Sequence, residues 1–211
     1  MISVIYENAF FTVLNKPEGI STHNEKPNLS DWLIQNKKST HFVNRLDTLT
    51  SGLIIIANLP EYHEPLRLAL DQGTKTYQAV LRGPWKTSER LAIWKAPLTD
   101  KAEGRKNPQG LAKDRKPCYT EVHVKRTNQY FTEVLCTIKT GRQHQIRKHA
   151  ALAKHPLIGD PRYNDDHYNK RISSIYKTER MFLNAYSLSF IFKNESHYFE
   201  TQNMESDFLF R

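Results

Sequence analysis

The stretch from Asn44 to Ala57 constrains the fold more than any other part of the chain. It reads Asn-Arg-Leu-Asp-Thr-Leu-Thr-Ser-Gly and continues into the apolar run Leu53-Ile54-Ile55-Ile56-Ala57. A β-branched run of this length, introduced by a glycine, is typical of a buried strand. The sequence therefore predicts a strand deep in a sheet, preceded by a hydroxyl-rich turn that presents Asp47 at the edge of that sheet.

The remaining pattern is dominated by short strands. Strand-like runs are Ser3–Tyr6, Phe10–Leu14, Lys75–Arg82, Tyr119–Lys125, Tyr130–Lys139, Phe182–Phe192 and Tyr198–Thr201. Helical spacing occurs in Leu29–Asn36, Glu61–Gln72 and from about Gln143 to Lys154. Because strands outnumber helices and short turns join several of them, we expect an α+β fold, with a large mixed, mostly antiparallel sheet flanked by helices and loops.

Charge and composition narrow the classes of function. The net charge of +9 and the pI of about 9.5 favour a polyanionic partner. Part of this charge lies in Asp100–Lys116, where glycines and prolines predict a mobile basic loop; a solvated linker without a ligand is the alternative. Cys118 and Cys136 are isolated, which argues against a zinc cluster or a disulfide scaffold and fits the reducing cytoplasm.

Other patterns also exclude functions. The first residues do not resemble a signal peptide, and no apolar run approaches the roughly 20 residues that span a bilayer, so we expect no membrane association. The chain has no glycine-rich phosphate loop, and His144 and His149 lie five apart rather than at the spacing of a helical zinc pair. Neither a nucleotide cofactor nor a metal is therefore expected.

Three segments carry candidate chemistry. Asp47 either caps its turn or acts as a catalytic carboxylate, with Arg45 on the same face of an extended chain. Arg147 opens a helix beside its buried stripe, where an arginine usually pairs with a carboxylate; Asp47 is one candidate partner, and contact with phosphate is the alternative. Lys75 and Tyr77 share a strand face, and Tyr77 either stacks on a displaced base or packs in the core.

Five segments in this order resemble the motifs of the RluA-like family of RNA pseudouridine synthases. The family's N-K-P-x-G resembles part of Val13–Gly19, and H-R-L-D-x-x-T-S-G-L resembles Asn44–Leu53. The K-x-Y-x-A-x-V-x-G pattern resembles Lys75–Gly83, with the valine slightly shifted. T-G-R-x-H-Q-I-R-x-H resembles Thr140–His149, and H-P-x-x-G-D-P-x-Y resembles His155–Tyr163. The resemblance thus covers nearly the whole chain.

The resemblance implies isomerisation of uridine to pseudouridine in RNA, without a metal or organic cofactor. By the same resemblance Asp47 is the essential residue, as nucleophile or as base, and Arg147 pairs with it. Arg45 fills the gap that a flipped uridine leaves, and Tyr77 stacks on the base. Further candidates for contacts to RNA or to the site are Lys75, Arg142, His144 and Lys16.

The resemblance also implies one catalytic domain of residues 1–211 with the pseudouridine synthase fold and no separate N-terminal RNA-binding domain. We expect a cytoplasmic monomer that acts on a stem-loop of tRNA or rRNA. Asn44 and Asn184 replace histidines of the family pattern, which raises the hypothesis that these positions touch and affect the choice of RNA. An RNA-binding or RNA-chaperone protein that keeps the fold without turnover is the alternative function.

Overall fold

The computed structural model describes residues 1–23 and 25–211, which form two compact units. Unit 1 comprises residues 1–75 and 184–202, and unit 2 comprises residues 76–183 and 203–211. The strands of the described residues are β1 (Ser3–Glu7), β2 (Phe11–Lys16), β3 (His41–Phe42), β4 (Ser51–Ala57), β5 (Thr74–Arg82), β6 (Leu91–Trp94), β7 (Thr120–Thr127), β8 (Phe131–Ile138), β9 (Leu183–Phe192) and β10 (Glu195–Glu200). The α-helices are α1 (Leu29–Gln35), α2 (Pro60–Gln72), α3 (Gln145–Leu152) and α4 (Asp166–Tyr176).

Strand β4 is the centre of unit 1. The strand order is β1-β2-β4-β9, with β3 paired to β4 and β10 paired to β9. β4 is antiparallel to β2 and parallel to β9. All of its residues are buried, because Ile54 and Ile56 pack in a cluster that includes α1 while Leu53 and Ile55 pack in one that includes α2. Burial on both faces explains why the run is continuously apolar.

Unit 2 has the strand order β5-β8-β7-β6, and its β6–β7 and β7–β8 pairs are antiparallel. Its core contains Val80, Phe131, Ile158, Ile172 and Phe182. The hairpin between β7 and β8 closes where Asn128 Oδ1 accepts the backbone N–H groups of residues 130 and 131, at 2.9 and 2.7 Å. The long connection from β8 to β9 contains the helices α3 and α4.

The predicted α+β class with a mixed, mostly antiparallel sheet is confirmed. Helix α4 and strands β3 and β6 were missed. α4 fully buries only Ile172 and completes its apolar stripe with the partly buried Tyr168 and Tyr176, and β6 is a short strand with exposed Leu91 and Ile93. Helix α3 begins at Gln145 rather than Gln143 because His144 adopts a left-handed backbone conformation, with φ of 57°.

No helix in the described part of the chain is both long enough and apolar enough to cross a membrane.

Gly52 joins the Asp47 turn to the sheet, and we predict that Gly52→Ala destabilises the protein by about 3 kcal/mol. Its φ is +111°, and an added Cβ would collide with the backbone carbonyl oxygen and the nitrogen of Ala185 on β9. Urea unfolding measures the loss. Gly104→Ala is the matched control, because no atom lies within 4 Å of its added Cβ and its φ requires no glycine. Equal stability of the two variants would contradict the role given to Gly52.

Candidate active site

The turn that carries Asp47 is fixed through its backbone. The Thr50 N–H donates to the Asp47 carbonyl at 3.0 Å, and the Thr22 hydroxyl donates to the Leu46 carbonyl at 3.0 Å. Leu46 and Thr50 are buried, whereas Asp47 is half-buried and Arg45 is exposed. The turn therefore holds its backbone rigidly while the Asp47 carboxylate and the Arg45 guanidinium remain within reach of a ligand.

Lys16 supports this turn from inside unit 1. Its side chain has no exposed surface, and Nζ donates to the carbonyl oxygens of Pro17, Ile20 and Thr48 at 3.0, 2.8 and 3.2 Å. An ammonium group has three N–H donors, so these bonds use all of them. The sequence offered Lys16 as a contact to RNA or to the site, and the geometry favours the site, because the group ties the 17–20 turn to the residue after Asp47.

Burial also changes the charge behaviour of Lys16. Desolvation lowers the pKa of Lys16 to about 8, and the negative charges of Asp47 and Glu18 oppose that shift. Lys16 is therefore a cation at neutral pH that interacts electrostatically with Asp47, and it becomes neutral in mildly alkaline solution.

Asn44 and Asn184, the two positions where the resembled family pattern has histidine, both form hydrogen bonds with β4, but with different residues of that strand. Asn44 Oδ1 accepts the Ile55 N–H at 2.7 Å, and its Nδ2 donates to the Leu53 carbonyl at 3.4 Å. Asn184 Oδ1 accepts the Ser51 hydroxyl at 2.8 Å, and its Nδ2 donates to Thr201 Oγ1 at 2.9 Å. Their hydrogen bonds thus go to separate partners rather than to each other, and Asn44 holds the Asp47 segment against β4.

Arg147 lies in unit 2, on the first turn of α3, and is buried. Its Nε donates to Asp160 Oδ2 at 2.8 Å and its Nη2 donates to Asp160 Oδ1 at 2.9 Å. Sequence reasoning correctly expected a carboxylate partner but did not consider Asp160. The signal was present, because Asp160 is the acidic residue of the His155–Tyr163 segment. The pairing of Arg147 with Asp47 stays a prediction.

His144 and Tyr163 lie beside Arg147. Nδ1 of His144 is 3.0 Å from the Tyr163 hydroxyl, and the two rings meet edge to face with centroids 5.7 Å apart. The Tyr163 ring centroid is 5.3 Å from Cζ of Arg147. His144, a predicted contact residue, is thereby placed at the start of α3 within the same cluster.

Arg142 lies near the basic segment that the sequence singled out. Its Nη1 donates to Asp100 Oδ2 at 3.2 Å, and the same carboxylate oxygen accepts from Lys116 Nζ at 3.0 Å. Lys101 pairs with Asp114 at 2.9 Å. These are exposed ion pairs that water screens and that contribute little to stability, so phosphate groups can compete for the cations.

Lys75 and Tyr77 have different environments. Lys75 is buried in unit 1, where Nζ donates to the Leu70 carbonyl at 3.2 Å and lies 3.5 Å from Asp71 Oδ1, at the C-terminal end of α2. Burial lowers the pKa of Lys75. Its ammonium group stabilises the negative end of the helix. Tyr77 is half-buried on β5 of unit 2, which leaves part of its side chain accessible.

His149 is a structural residue of unit 2. Its Nε2 lies 2.9 Å from the Ala96 carbonyl, and its Nδ1 lies 2.8 Å from Thr120 Oγ1. Burial lowers the pKa of His149, so a neutral ring that donates from Nε2 and accepts at Nδ1 fits these distances. Within residues 1–23 and 25–211 no three histidine, cysteine or acidic side chains are grouped as metal ligands.

Comparison with known proteins identifies the family. Residues 11–152 match the RNA pseudouridylate synthase family, which is more than half of the chain and includes parts of both units. The chain belongs to the RNA pseudouridylate synthase family.

Among named relatives, the chain is similar to the ribosomal large subunit pseudouridine synthase C of Pasteurella multocida, with 32% identity over 200 residues. The alignment covers 89% of this chain and 59% of that protein. The protein of the same name from Escherichia coli K12 is 31% identical over 201 residues, which cover 89% of this chain and 61% of the relative. The chain thus spans about three fifths of the length of these relatives.

Solved structures share the fold. Human RNA pseudouridylate synthase domain containing 1 superposes with a TM-score of 0.77 at 22% identity, over 96% of this chain and 84% of that one. Human RNA pseudouridylate synthase domain containing 4 gives a TM-score of 0.78 at 18% identity, over 98% and 90% of the two chains. At these identities the likeness establishes the common fold.

Lys16 gives a prediction of pH-dependent stability. Its pKa is about 8 in the folded protein against 10.5 for an ordinary lysine, so between these values the unfolded chain binds more protons at this residue than the folded protein does. The free energy of unfolding of the wild type, relative to Lys16→Met, should therefore rise by on the order of 2 kcal/mol from pH 8 to pH 10.5.

Urea unfolding at several pH values measures this difference. Lys38→Met is the matched control, because Lys38 pairs with Glu7 at the surface, with Nζ and Oε2 2.7 Å apart. We expect its difference from the wild type to lack the rise. A constant difference between the wild type and Lys16→Met across this range would contradict the buried-cation account.

Proposed function

We propose that this protein is an RNA pseudouridine synthase that isomerises uridine to pseudouridine, with Asp47 as the catalytic residue. The observation that carries the proposal is the position of Asp47. In a chain of this family, the aspartate of the family motif sits on a rigid turn with its carboxylate half-buried and its neighbour Arg45 exposed. A carboxylate held in this way is oriented before the substrate arrives, which lowers the barrier to reaction.

The reaction is an isomerisation, so it involves no net oxidation or reduction and adds no chemical group from another molecule. The bond between N1 of uracil and C1′ of ribose breaks, the detached uracil rotates, and a bond forms between C5 and C1′. The proton on C5 leaves, and N1 carries a proton in the product. Asp47 acts either as the nucleophile or as the base in this sequence. Because the base is detached midway, the pocket must retain it and exclude water.

The family resemblance supports roles for three further residues. We assign Arg147 as the arginine that pairs with the catalytic aspartate and orients its carboxylate. Tyr77, half-buried on β5, stacks on the uracil, and Arg45, exposed beside Asp47, fills the space that the flipped nucleotide leaves. Lys16 supports the Asp47 turn, while Lys75, Arg142 and His144 remain candidates for contacts near the RNA.

The substrate that we propose is a stem-loop of RNA, and ribosomal RNA of the large subunit is the first class to test, since the similar bacterial proteins are named for it. Extruding a uridine costs a few kcal/mol, which contacts between phosphates and a chain of net charge +9 can offset. We further propose that residues 1–211 act as one catalytic domain, as a cytoplasmic monomer and without metal or cofactor.

The central prediction concerns Asp47→Asn. The change preserves size and removes the ionisable group, so tritium release from RNA labelled at C5 of uridine should fall by about 1000-fold or more, while RNA affinity changes less than about threefold. Asp31→Asn is the control, because Asp31 is a surface residue of the same unit, paired with Lys26 at 3.4 Å. If Asp47→Asn releases tritium at the wild-type rate, Asp47 has no part in the mechanism. If the wild-type protein binds RNA but releases no tritium, the RNA-binding alternative is favoured.

The substrate is tested by mapping pseudouridines in total RNA from cells with and without the protein. We expect at least one position of the large-subunit ribosomal RNA to lose pseudouridine on deletion. The wild type should restore it, and Asp47→Asn should not. A position that is lost only from transfer RNA would redirect the substrate without changing the reaction, and an unchanged map would contradict the proposed activity in that cell.

A further inference from the structure

Asp160 is a fully buried carboxylate of unit 2. A charge in this position is tolerated only when hydrogen bonds replace water. Besides the two bonds from Arg147, Oδ1 accepts the backbone N–H groups of Arg162 and Tyr163 at 2.8 and 3.1 Å. Four donors therefore surround the carboxylate, and two of them belong to its own turn.

The backbone that carries Asp160 is itself constrained. Gly159 has φ of +76°, and an added Cβ there would collide with the carbonyl oxygen of Arg180. Asn169 on α4 donates from Nδ2 to the Asp160 carbonyl at 2.9 Å. The position of the carboxylate is thus set by a turn that is bonded to a helix, and the short aspartate side chain adds little freedom of its own.

Asp160 contacts Arg147 at two points along one edge of the guanidinium, through Nε and Nη2. A two-point contact fixes the plane of the guanidinium as well as its position, whereas a single bond leaves rotation free. The Tyr163 ring, 5.3 Å from Cζ, packs beside the same group. Asp160 and Tyr163 therefore constrain the orientation of Arg147 before any RNA binds.

We propose that Asp160 is a positioning residue, which holds the guanidinium of Arg147 in the orientation that catalysis requires. The proposal rests on the proposed function, in which Arg147 serves the catalytic aspartate with its other donors. An arginine fixed along one edge has already lost its rotational freedom on folding, so that loss is not incurred in the transition state. Asp160 then affects the rate of reaction rather than the affinity for RNA.

The first test is Asp160→Asn. The amide keeps the shape of the carboxylate, but its NH₂ group faces one of the two arginine N–H donors, so the two-point contact is lost. We expect the single-turnover rate of tritium release to fall by about 100-fold, with RNA affinity within about threefold of the wild type. In ¹H–¹⁵N spectra the Arg147 Nε–H signal, assigned with Arg147→Lys, should exchange slowly with solvent in the wild type and at least about tenfold faster in the variant.

Asp165→Asn is the matched control, five residues further along. Asp165 caps α4 by accepting from the Tyr168 N–H at 3.0 Å, and it pairs with Arg105 at 2.9 Å. Asp165→Asn weakens an ion pair with an arginine, as Asp160→Asn does, and it also changes a helix cap. Asp165 is hydrogen-bonded to Arg105 and not to Arg147, so the contacts between Asp160 and Arg147 are unchanged in this variant. We expect its turnover rate to stay within about twofold of the wild type at temperatures where it is folded.

Asp160→Glu decides the question if Asp160→Asn does not fold. It retains the carboxylate and displaces it by one methylene, so we expect a folded protein with a rate about tenfold lower and a shifted Arg147 Nε–H signal. A wild-type rate in either folded variant, with that signal shifted or rapidly exchanging, would overturn the positioning role alone. An inactive wild-type protein would instead overturn the proposed function, and this inference with it.

Discussion

The burial of β4 on both faces is the constraint on which unit 1 depends. A strand packed between an α1 cluster on one side and an α2 cluster on the other cannot shift by one residue without moving every large aliphatic side chain into the cluster on the opposite face, where the packing does not match it. The close approach of Gly52 to Ala185 fixes the same strand along its length. Because the Asp47 turn leads directly into β4, the register of this strand determines where the carboxylate lies.

Buried charges then refine the local geometry of each unit. Lys16 donates all three of its N–H groups to backbone carbonyls around the Asp47 turn. Asp160 accepts two hydrogen bonds from the guanidinium of Arg147. Buried charges of this kind are costly unless fully bonded, and full bonding is what makes them directional. Each unit therefore holds a residue of the proposed site with a buried charged group whose position is fixed by hydrogen bonds, the cation Lys16 in unit 1 and the anion Asp160 in unit 2.

Much of the fold was predictable because its strongest signals are local. The β4 run, the β7–β8 hairpin and helix α2 follow from apolar period and turn residues, and their observed bounds differ from the predicted ones by a few residues. Helix α4 was missed although its signal is also local, since Tyr168, Ile172 and Tyr176 recur at helical spacing and pack in the core of unit 2. The candidate residues Asp47 and Arg147 were found from motif and context, whereas Asp160 was not, since its partner lies 13 positions away on another element.

The sequence by itself determined the fold class, the family motifs and the identity of the candidate catalytic aspartate, because residue type and short-range spacing are sufficient for these. Only the tertiary structure decided what each charged side chain touches. It turned Lys16 and Lys75 inward onto backbone carbonyls and gave Arg147 a buried carboxylate partner. The physical reason is that the environment of a charge depends on neighbours brought together by packing, and packing is not encoded at fixed distances along the chain.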